Sequence, residues 1–193
     1  MNGLRAALFL DRDGVINVDH GYVCSPERTE FVDGIFELVA AANQRGLAVV
    51  VVTNQAGIAR GYYTEQDFHR YMAWVREQFR LHDARLDAVY HCPHHPTAGV
   101  GEYLRACECR KPAPGMLLAA RRELGLDLGD SLLVGDTPTD IAAGTAAGVG
   151  RSLLLGSAAL PSLRDAIGLL PDGRTQPRNP VEPGRQVPRT HGG

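Results

Sequence analysis

The chain has 193 residues, of which 44% are hydrophobic and 22% are charged, and its formal net charge at pH 7 is −2. That length suits one domain with a full core, and the hydrophobic fraction is typical of an ordinary globular protein. The near-neutral charge argues against a general binder of nucleic acids or membrane surfaces. No segment is apolar enough to span a bilayer and residues 1–5 lack the apolar run of a signal peptide, so we expect a cytoplasmic protein.

Short apolar runs alternate with amphipathic stretches, which predicts an α/β fold with a mainly parallel sheet. The predicted strands are 6–10, 47–52, 86–90, 131–134 and 152–155. The predicted helices begin at residue 33 or 34, at 64 with a capping motif, at 114, after 135–140, and near 160. We expect one domain over residues 1–170. Proline, glycine, arginine and polar residues predominate over 171–193, which predicts a flexible tail.

The first predicted strand ends in Asp11-Arg-Asp-Gly14, which places two carboxylates one residue apart before a glycine turn. Residues two apart in an extended segment point the same way, so Asp11 and Asp13 can face one ligand while Arg12 points elsewhere. A divalent cation relieves their repulsion, keeping Asp11 ionised as a nucleophile while Asp13 holds a proton as general acid and base. Taken alone, the tetrapeptide fits an ordinary Asx turn equally well.

Polar side chains also follow two later strands. Thr53 comes after the second strand and can donate a hydrogen bond to a phosphoryl oxygen. Asp136 comes after the fourth strand and can complete an oxygen-ligand site for Mg²⁺, while Asp140 fits either an orienting role there or a place near the helix dipole. Lys111 is the only lysine among 20 basic residues, and its point charge offers chemistry that a guanidinium does not.

Residues 91–110 form a loop rich in proline, glycine and polar residues that contains two pairs of metal-binding side chains. These are Cys92, His94, Cys107 and Cys109. Thiolates and imidazole bind Zn²⁺, and four protein ligands close its tetrahedral shell, so we predict a structural zinc site. His91 and His95 are alternative ligands. Disulfides are disfavoured in a cytosolic chain, and we expect Cys24 to pack as a free thiol.

Together these residues supply the parts needed to hydrolyse a phosphomonoester. Asp11 attacks phosphorus in line, with Mg²⁺ held by Asp11 and Asp136 against the phosphate. Thr53 and Lys111 neutralise charge on the equatorial oxygens. Asp13 protonates the leaving alcohol and then deprotonates the water that cleaves the aspartyl phosphate.

The chain resembles the haloacid dehalogenase (HAD) superfamily of phosphatases in four motifs: Asp11-Arg-Asp-Gly-Val-Ile-Asn17, Thr53-Asn-Gln, Lys111 and Gly135-Asp136. More narrowly, four segments resemble the D-glycero-D-manno-heptose 1,7-bisphosphate 7-phosphatases. These segments are 18–23, 52–61, 92–96 and 107–112. The resemblance covers roughly residues 6–156 and is far more specific than Asp-x-Asp alone.

This resemblance implies a Rossmann-like three-layer sandwich without a large cap domain, and a cytoplasmic monomer that uses Mg²⁺ and structural Zn²⁺. It implies removal of the 7-phosphate from a heptose bisphosphate, a step towards ADP-heptose and the lipopolysaccharide core. The backbone carbonyl of Asp13 would complete the Mg²⁺ site. The implied substrate contacts, besides Thr53 and Lys111, are Asp19, His20, Gly21, Tyr22, Asn54, Gln55, Ala56 and Arg110.

One position departs from the family pattern. Some members carry lysine after the segment that matches Gly135-Asp136, whereas this chain has Thr137, which can donate a hydrogen bond to substrate but adds no charge. We therefore expect Arg110 and its neighbours to hold the second phosphate.

Three alternatives stay open. A histidinol-phosphate phosphatase would share these motifs and the zinc loop, although Asp19-His-Gly-Tyr22 and Arg110 favour the heptose substrate. A receiver-type signalling module gathers similar groups around Mg²⁺ but has no use for a general acid at Asp13. A zinc-loop binding protein with a dead site would bind zinc without turnover. The preferred anomer of the heptose bisphosphate is not determined by these motifs.

Overall fold

The computed structural model describes residues 4–173, which fold around a five-stranded sheet. The strands are β1 (Ala7–Leu10), β2 (Ala48–Asn54), β3 (Ala88–Cys92), β4 (Leu132–Gly135) and β5 (Arg151–Leu154). Their order is β3-β2-β1-β4-β5, and every neighbouring pair is parallel. The predicted α/β fold with a parallel sheet is confirmed.

Helices connect successive strands, and one further helix follows the last strand. They are α1 (Ile35–Gln44), α2 (Ala56–Ala59), α3 (Glu65–Leu81), α4 (Gly115–Leu124), α5 (Pro138–Ala147) and α6 (Leu163–Ile167). The predicted capping motif does begin α3: the Asp67 amide donates to Thr64 Oγ1 at 3.1 Å, and the Thr64 amide donates to Asp67 Oδ2 at 2.9 Å. The short helix α2 was not predicted from the sequence, and α6 is shorter than the predicted stretch.

The core lies on both faces of the sheet, because successive strand residues point in opposite directions. Leu8 and Leu10 of β1 pack into the apolar cluster that includes residues of α1, α3 and α6. Ala7 and Phe9 pack into a second cluster that includes residues of α4 and α5. This arrangement makes the three layers of a Rossmann-like sandwich, and within residues 4–173 no large cap domain is added to it.

Two strands are displaced from their predicted positions. β2 continues through Asn54, so Thr53 lies within the strand and pairs with His91 of β3. β3 begins and ends two residues later than predicted, which places Cys92 at its carboxyl end. Because all strands are parallel, the ends of β1, β2, β3 and β4 lie along one edge of the sheet.

The predicted tail over 171–193 lies outside the described residues from position 174 onward. Among residues 4–173, no helix combines the length and apolar character that crossing a membrane requires.

Candidate active site

A cavity of about 380 Å³ opens at the carboxyl edge of the sheet. The predicted site residues that line it are Asp11, Asp13, Asp19, Gly21, Tyr22, Thr53, Asn54, Gln55, Ala56, Lys111, Asp136 and Thr137. The remaining lining residues are Gly57, Tyr63, Thr139 and Asp140. Residues at the carboxyl ends of β1, β2 and β4 and the Lys111 side chain therefore meet in one place, as open α/β sheets arrange their ligand sites.

Lys111 lies at the centre of the charged groups in this cavity. Its Nζ is 2.8 Å from Asp11 Oδ1 and 2.5 Å from Asp140 Oδ1, and it donates to the Val52 carbonyl at 2.8 Å. Burial lowers the pKa of Lys111, but the two carboxylates raise it, so the pKa lies above its ordinary value. The lone lysine is thus a fixed positive charge beside Asp11.

Asp11, Asp136 and Asp140 form a carboxylate cluster whose oxygens lie within 4.8 Å of one another. Burial raises the pKa of Asp11 to about 7, although Lys111 opposes this, and burial together with the Asp140 charge raises the pKa of Asp136. Among residues 4–173, no hydrogen-bond partner reaches the buried Asp136 Oδ1. Uncompensated carboxylate oxygens are the donors that Mg²⁺ takes, so these residues fit that ion.

Gly14 allows Asp136 to approach the first motif. Its φ of 84° lies in the left-handed region, and a Cβ placed there would be 1.9 Å from Asp136 Oδ2. The glycine is therefore required twice, once for the backbone turn after Asp13 and once for the space that the Asp136 carboxylate occupies.

The Asp13 carboxylate is held by side chains outside the carboxylate cluster. The guanidinium of Arg12, which is fully buried, donates from Nη2 to both carboxylate oxygens at 2.6 Å. Asn17 Nδ2 donates to Oδ1 at 3.1 Å and Gln55 Nε2 to Oδ2 at 3.3 Å. Arg12 does not line the cavity, which agrees with the prediction that its side chain points away from the ligand. Its side chain is nevertheless long enough for the guanidinium to reach the neighbouring Asp13 carboxylate.

A chain of hydrogen bonds orients Thr53. Tyr63 donates its hydroxyl hydrogen to Gln55 Oε1 at 2.7 Å, and Gln55 Nε2 donates to Thr53 Oγ1 at 2.8 Å. Thr53 Oγ1 therefore acts as an acceptor towards Gln55 and keeps its own hydrogen for another group. The sequence did not indicate a role for Tyr63. Its ring lies 2.3 Å from the position that a Cβ of Gly57 would take, and no local sequence pattern reveals this contact.

Asn54 fixes the backbone of Lys111 from the neighbouring strand. Its Oδ1 accepts from the Lys111 amide and its Nδ2 donates to the Lys111 carbonyl, both at 3.0 Å. Both polar groups of this side chain are thus used within the protein. The resemblance implied a substrate contact for Asn54, whereas these bonds give it a positioning role as well.

Thr137 is tied to the helix that follows it. Its amide donates to Asp140 Oδ2 at 3.0 Å and its hydroxyl donates to the same oxygen at 2.6 Å. Because the hydroxyl hydrogen is used there, Thr137 Oγ1 accepts from the Thr139 hydroxyl at 2.8 Å, so the expected hydrogen bond from Thr137 to substrate would require this hydroxyl to leave Asp140. Both sequence interpretations of Asp140 therefore apply, since one oxygen caps α5 and the other faces Lys111.

Two of the expected substrate contacts, His20 and Arg110, are not among the residues that line the cavity. His20 Nε2 lies 3.0 Å from Glu30 Oε2, and Arg110 Nη1 donates to the His94 carbonyl at 3.1 Å. Both flank the residues that do line it, and their roles stay predictions.

The four predicted zinc ligands converge where β3 ends and the following loop begins, with Cys92 on the strand and the other three in the loop. The three sulfur atoms of Cys92, Cys107 and Cys109 are 3.0–3.4 Å apart, and His94 Nδ1 is 3.4 Å from the Cys109 sulfur. All four cysteines of the chain are free thiols. Three sulfurs and one imidazole nitrogen at such separations fit a single Zn²⁺.

Known proteins that are similar to this chain include phosphatases and a family of hydrolases. The HAD-hydrolase-like family model matches residues 108–164. D-glycero-alpha-D-manno-heptose-1,7-bisphosphate 7-phosphatase of Burkholderia mallei is 56% identical over 149 residues, which is 77% of this chain and 79% of that protein. The Vibrio cholerae protein named for the beta anomer is 47% identical over 78% of this chain and 81% of that protein.

A solved structure is also similar. The D,D-heptose 1,7-bisphosphate phosphatase from B. bronchiseptica, complexed with magnesium and phosphate, has a TM-score of 0.70 and 31% identity. The alignment covers 88% of this chain and 90% of that chain.

Proposed function

We propose a function from one premise: the chain belongs to the family of D-glycero-D-manno-heptose-1,7-bisphosphate 7-phosphatases, with curated members at 47–56% identity. It hydrolyses the 7-phosphate of that bisphosphate and releases inorganic phosphate. The observation that carries this proposal is the meeting of Asp11, Asp13, Thr53, Lys111 and Asp136 in one cavity. These are the groups that phosphoryl transfer through an aspartyl phosphate needs.

Asp11 is the nucleophile. Its carboxylate lies at the end of β1 in a nearly closed site, 9% exposed, and is 2.8 Å from the Lys111 ammonium. One carboxylate oxygen attacks phosphorus in line, the bond from phosphorus to the sugar oxygen breaks, and an aspartyl phosphate forms. Lys111 remains paired with Asp140, so its charge stays in place while negative charge builds on the phosphoryl group.

Asp11 and Asp136 would hold Mg²⁺, with Asp140 beside them and the Asp13 carbonyl as a further ligand. The bound ion supplies positive charge for the carboxylates and the phosphate. Asp136 Oδ1 is buried and has no hydrogen-bond partner within residues 4–173, which supports this assignment.

Thr53 donates to a phosphoryl oxygen. Because Gln55 donates to the Thr53 oxygen, the threonine hydrogen is directed towards the cavity rather than to a neighbouring side chain. A donor already oriented before the reaction costs no reorganisation in the transition state.

Asp13 moves the proton in both half-reactions. It gives a proton to the leaving sugar oxygen and then takes one from the water that attacks the aspartyl phosphate, so the two steps together leave its protonation unchanged. Arg12, Asn17 and Gln55 keep its carboxylate in one orientation.

The cysteine cluster holds Zn²⁺ in a structural role, and the chain acts as a cytoplasmic monomer on a phosphosugar, without a nucleic-acid or membrane partner. The loop held by Cys107 and Cys109 leads directly into Arg110 and Lys111. Zinc therefore supports catalysis by keeping this segment in position.

The test is phosphate release by the purified protein with Mg²⁺, from the alpha and the beta anomer of D-glycero-D-manno-heptose 1,7-bisphosphate and from histidinol phosphate. An Asp11→Asn variant serves as the control. We expect turnover of one heptose anomer well above the other two substrates and none in the control. A preference for histidinol phosphate would change the proposed substrate but not the proposed mechanism. If the zinc-bound protein turns over none of these substrates, the proposed enzymatic activity is refuted and a binding function is favoured.

A further inference from the structure

A second group of metal-binding side chains lies outside the two sites described above. Glu65 and His69 are one helical turn apart on α3, and His91 belongs to β3. One ligand atom from each lies within 4.8 Å of the others. Neither the phosphatase chemistry nor the cysteine cluster uses these three residues.

The strand and the helix bring these side chains together. Cys92 and His91 are neighbours on β3, so their side chains point to opposite faces of the sheet, and His91 faces α3. Residues four apart on a helix share a face, so Glu65 and His69 both point towards β3. The His69 and His91 rings are 5.2 Å apart between centroids, nearly perpendicular.

Two of the three side chains are already held in place. Glu65 Oε2 is 3.0 Å from His91 Nε2, and its other oxygen accepts from the Tyr103 hydroxyl at 3.0 Å. The His91 ring packs 4.7 Å from that of Phe68, which is fully buried. His69 is exposed, so its imidazole can rotate towards the other two.

We propose that Glu65, His69 and His91 form a second metal site, which takes a divalent late transition ion such as Zn²⁺, Co²⁺ or Ni²⁺. Two imidazoles and one carboxylate suit such ions better than they suit Mg²⁺ or Ca²⁺. Three protein ligands leave coordination positions for water, so this site binds more weakly than the four-ligand cysteine cluster. Tyr103, which bonds the free oxygen of Glu65, orients that ligand.

The site also has a structural consequence. His91 directly precedes Cys92, and Tyr103 lies within the cysteine loop, while Glu65 and His69 lie on α3. A bound ion therefore joins the helix to the base of the loop. We expect it to raise the thermal stability of the holoprotein without adding a ligand to the cavity.

The test uses the zinc-loaded, untagged full chain in saturating Mg²⁺, with Co²⁺ as the probe and equilibrium dialysis to count bound ions. His69→Gln removes one ligand, and His82→Gln, at the end of the same helix, is the matched control. We expect His69→Gln to bind one Co²⁺ fewer than wild type, or to bind that ion about tenfold more weakly or worse. His82→Gln should bind as wild type does.

Two further readings separate this site from the others. The extra Co²⁺ should give no sulfur-to-cobalt charge-transfer band, since no thiolate is a ligand. It should raise the melting temperature of wild type and of His82→Gln but not of His69→Gln. Equal Co²⁺ binding by wild type and His69→Gln, with both folded, would overturn the proposal.

Discussion

The carboxylate cluster and the cysteine cluster hold their ligands by different means. Asp11 and Asp136 follow the buried strands β1 and β4, so the sheet positions them. Cys107 and Cys109 lie in a polar loop between β3 and α4, where the only regular structure is one turn over Gly101–Tyr103. The carboxylate cluster is therefore supported by the sheet and carries excess negative charge, whereas the cysteine cluster has its ligands but little regular structure to support them.

This difference predicts what each metal does. A carboxylate site built on strand ends needs its ion for charge compensation, so removing Mg²⁺ should stop the chemistry and leave the fold. A thiolate site in a loop without a core needs its ion for structure, so removing Zn²⁺ should release the segment that carries Arg110 and Lys111.

Asp11→Asn removes the nucleophile while keeping nearly the same shape. We expect kcat to fall roughly 10⁴-fold or more, because an amide oxygen does not form the aspartyl phosphate. The comparison requires that circular dichroism and zinc content stay those of wild type. Residual turnover near the wild-type rate would mean that another group attacks phosphorus.

Gly14→Ala tests how the sheet edge positions Asp136. A methyl group there meets Asp136 Oδ2, so the carboxylate must move, and we expect activity to fall about 100-fold with a higher Mg²⁺ requirement. Gly46→Ala is the matched control: its φ is 79° and nothing lies within 4 Å of the added methyl. Both variants should lose stability, by about 1–2 kcal/mol from the backbone alone, but Gly46→Ala should keep its activity.

Cys107→Ser tests the loop. We expect zinc content to fall, the melting temperature to drop and activity to decrease about tenfold or more. Cys24→Ser, a free thiol outside the cluster, should match wild type in zinc content and activity. After complete chelation of wild type, Mg²⁺ alone should restore little activity, and Mg²⁺ with Zn²⁺ should restore most of it. Full recovery with Mg²⁺ alone would show that zinc does not position Lys111.

Asn54→Ala tests the link between the two regions, since Asn54 on β2 holds the Lys111 backbone. Asn43 offers a matched control, because it bonds the amide and carbonyl of Arg85 in the same way at 2.7 and 3.1 Å. We expect each alanine variant to lose about 1–3 kcal/mol of unfolding free energy. Only Asn54→Ala should also lower kcat, by roughly tenfold. Equal kcat values for Asn54→Ala and Asn43→Ala would show that Asn54 does not position Lys111 for catalysis.

Arg110→Ala tests the expected contact with the second phosphate. Loss of a charge-assisted hydrogen bond to substrate should raise KM roughly tenfold and leave kcat within about twofold. Arg70→Ala, on the surface of α3, controls for the lost charge and should leave both constants unchanged. An unchanged KM in Arg110→Ala would assign the second phosphate to other residues.

The sequence alone was enough to locate the five strands, the two metal-binding motifs and the catalytic candidates. These features are local: apolar runs mark strands, and Asp11-Arg-Asp-Gly14 and the paired cysteines carry their chemistry within a few residues. The displacements of β2 and β3 are also local in scale, because hydrophobic pattern defines the body of a strand better than its ends.

Only the tertiary structure decided how these residues support one another. Asn54 and Lys111 are 57 positions apart in the chain, and their bonds exist because β2 ends beside the cysteine loop. Tyr63 reaches Thr53 only through Gln55, and Asp140 meets Lys111 only because β2 and β4 flank β1. Contacts of this kind depend on which elements become neighbours and on the conformations that long side chains adopt. Neither follows from the order of residues within one segment.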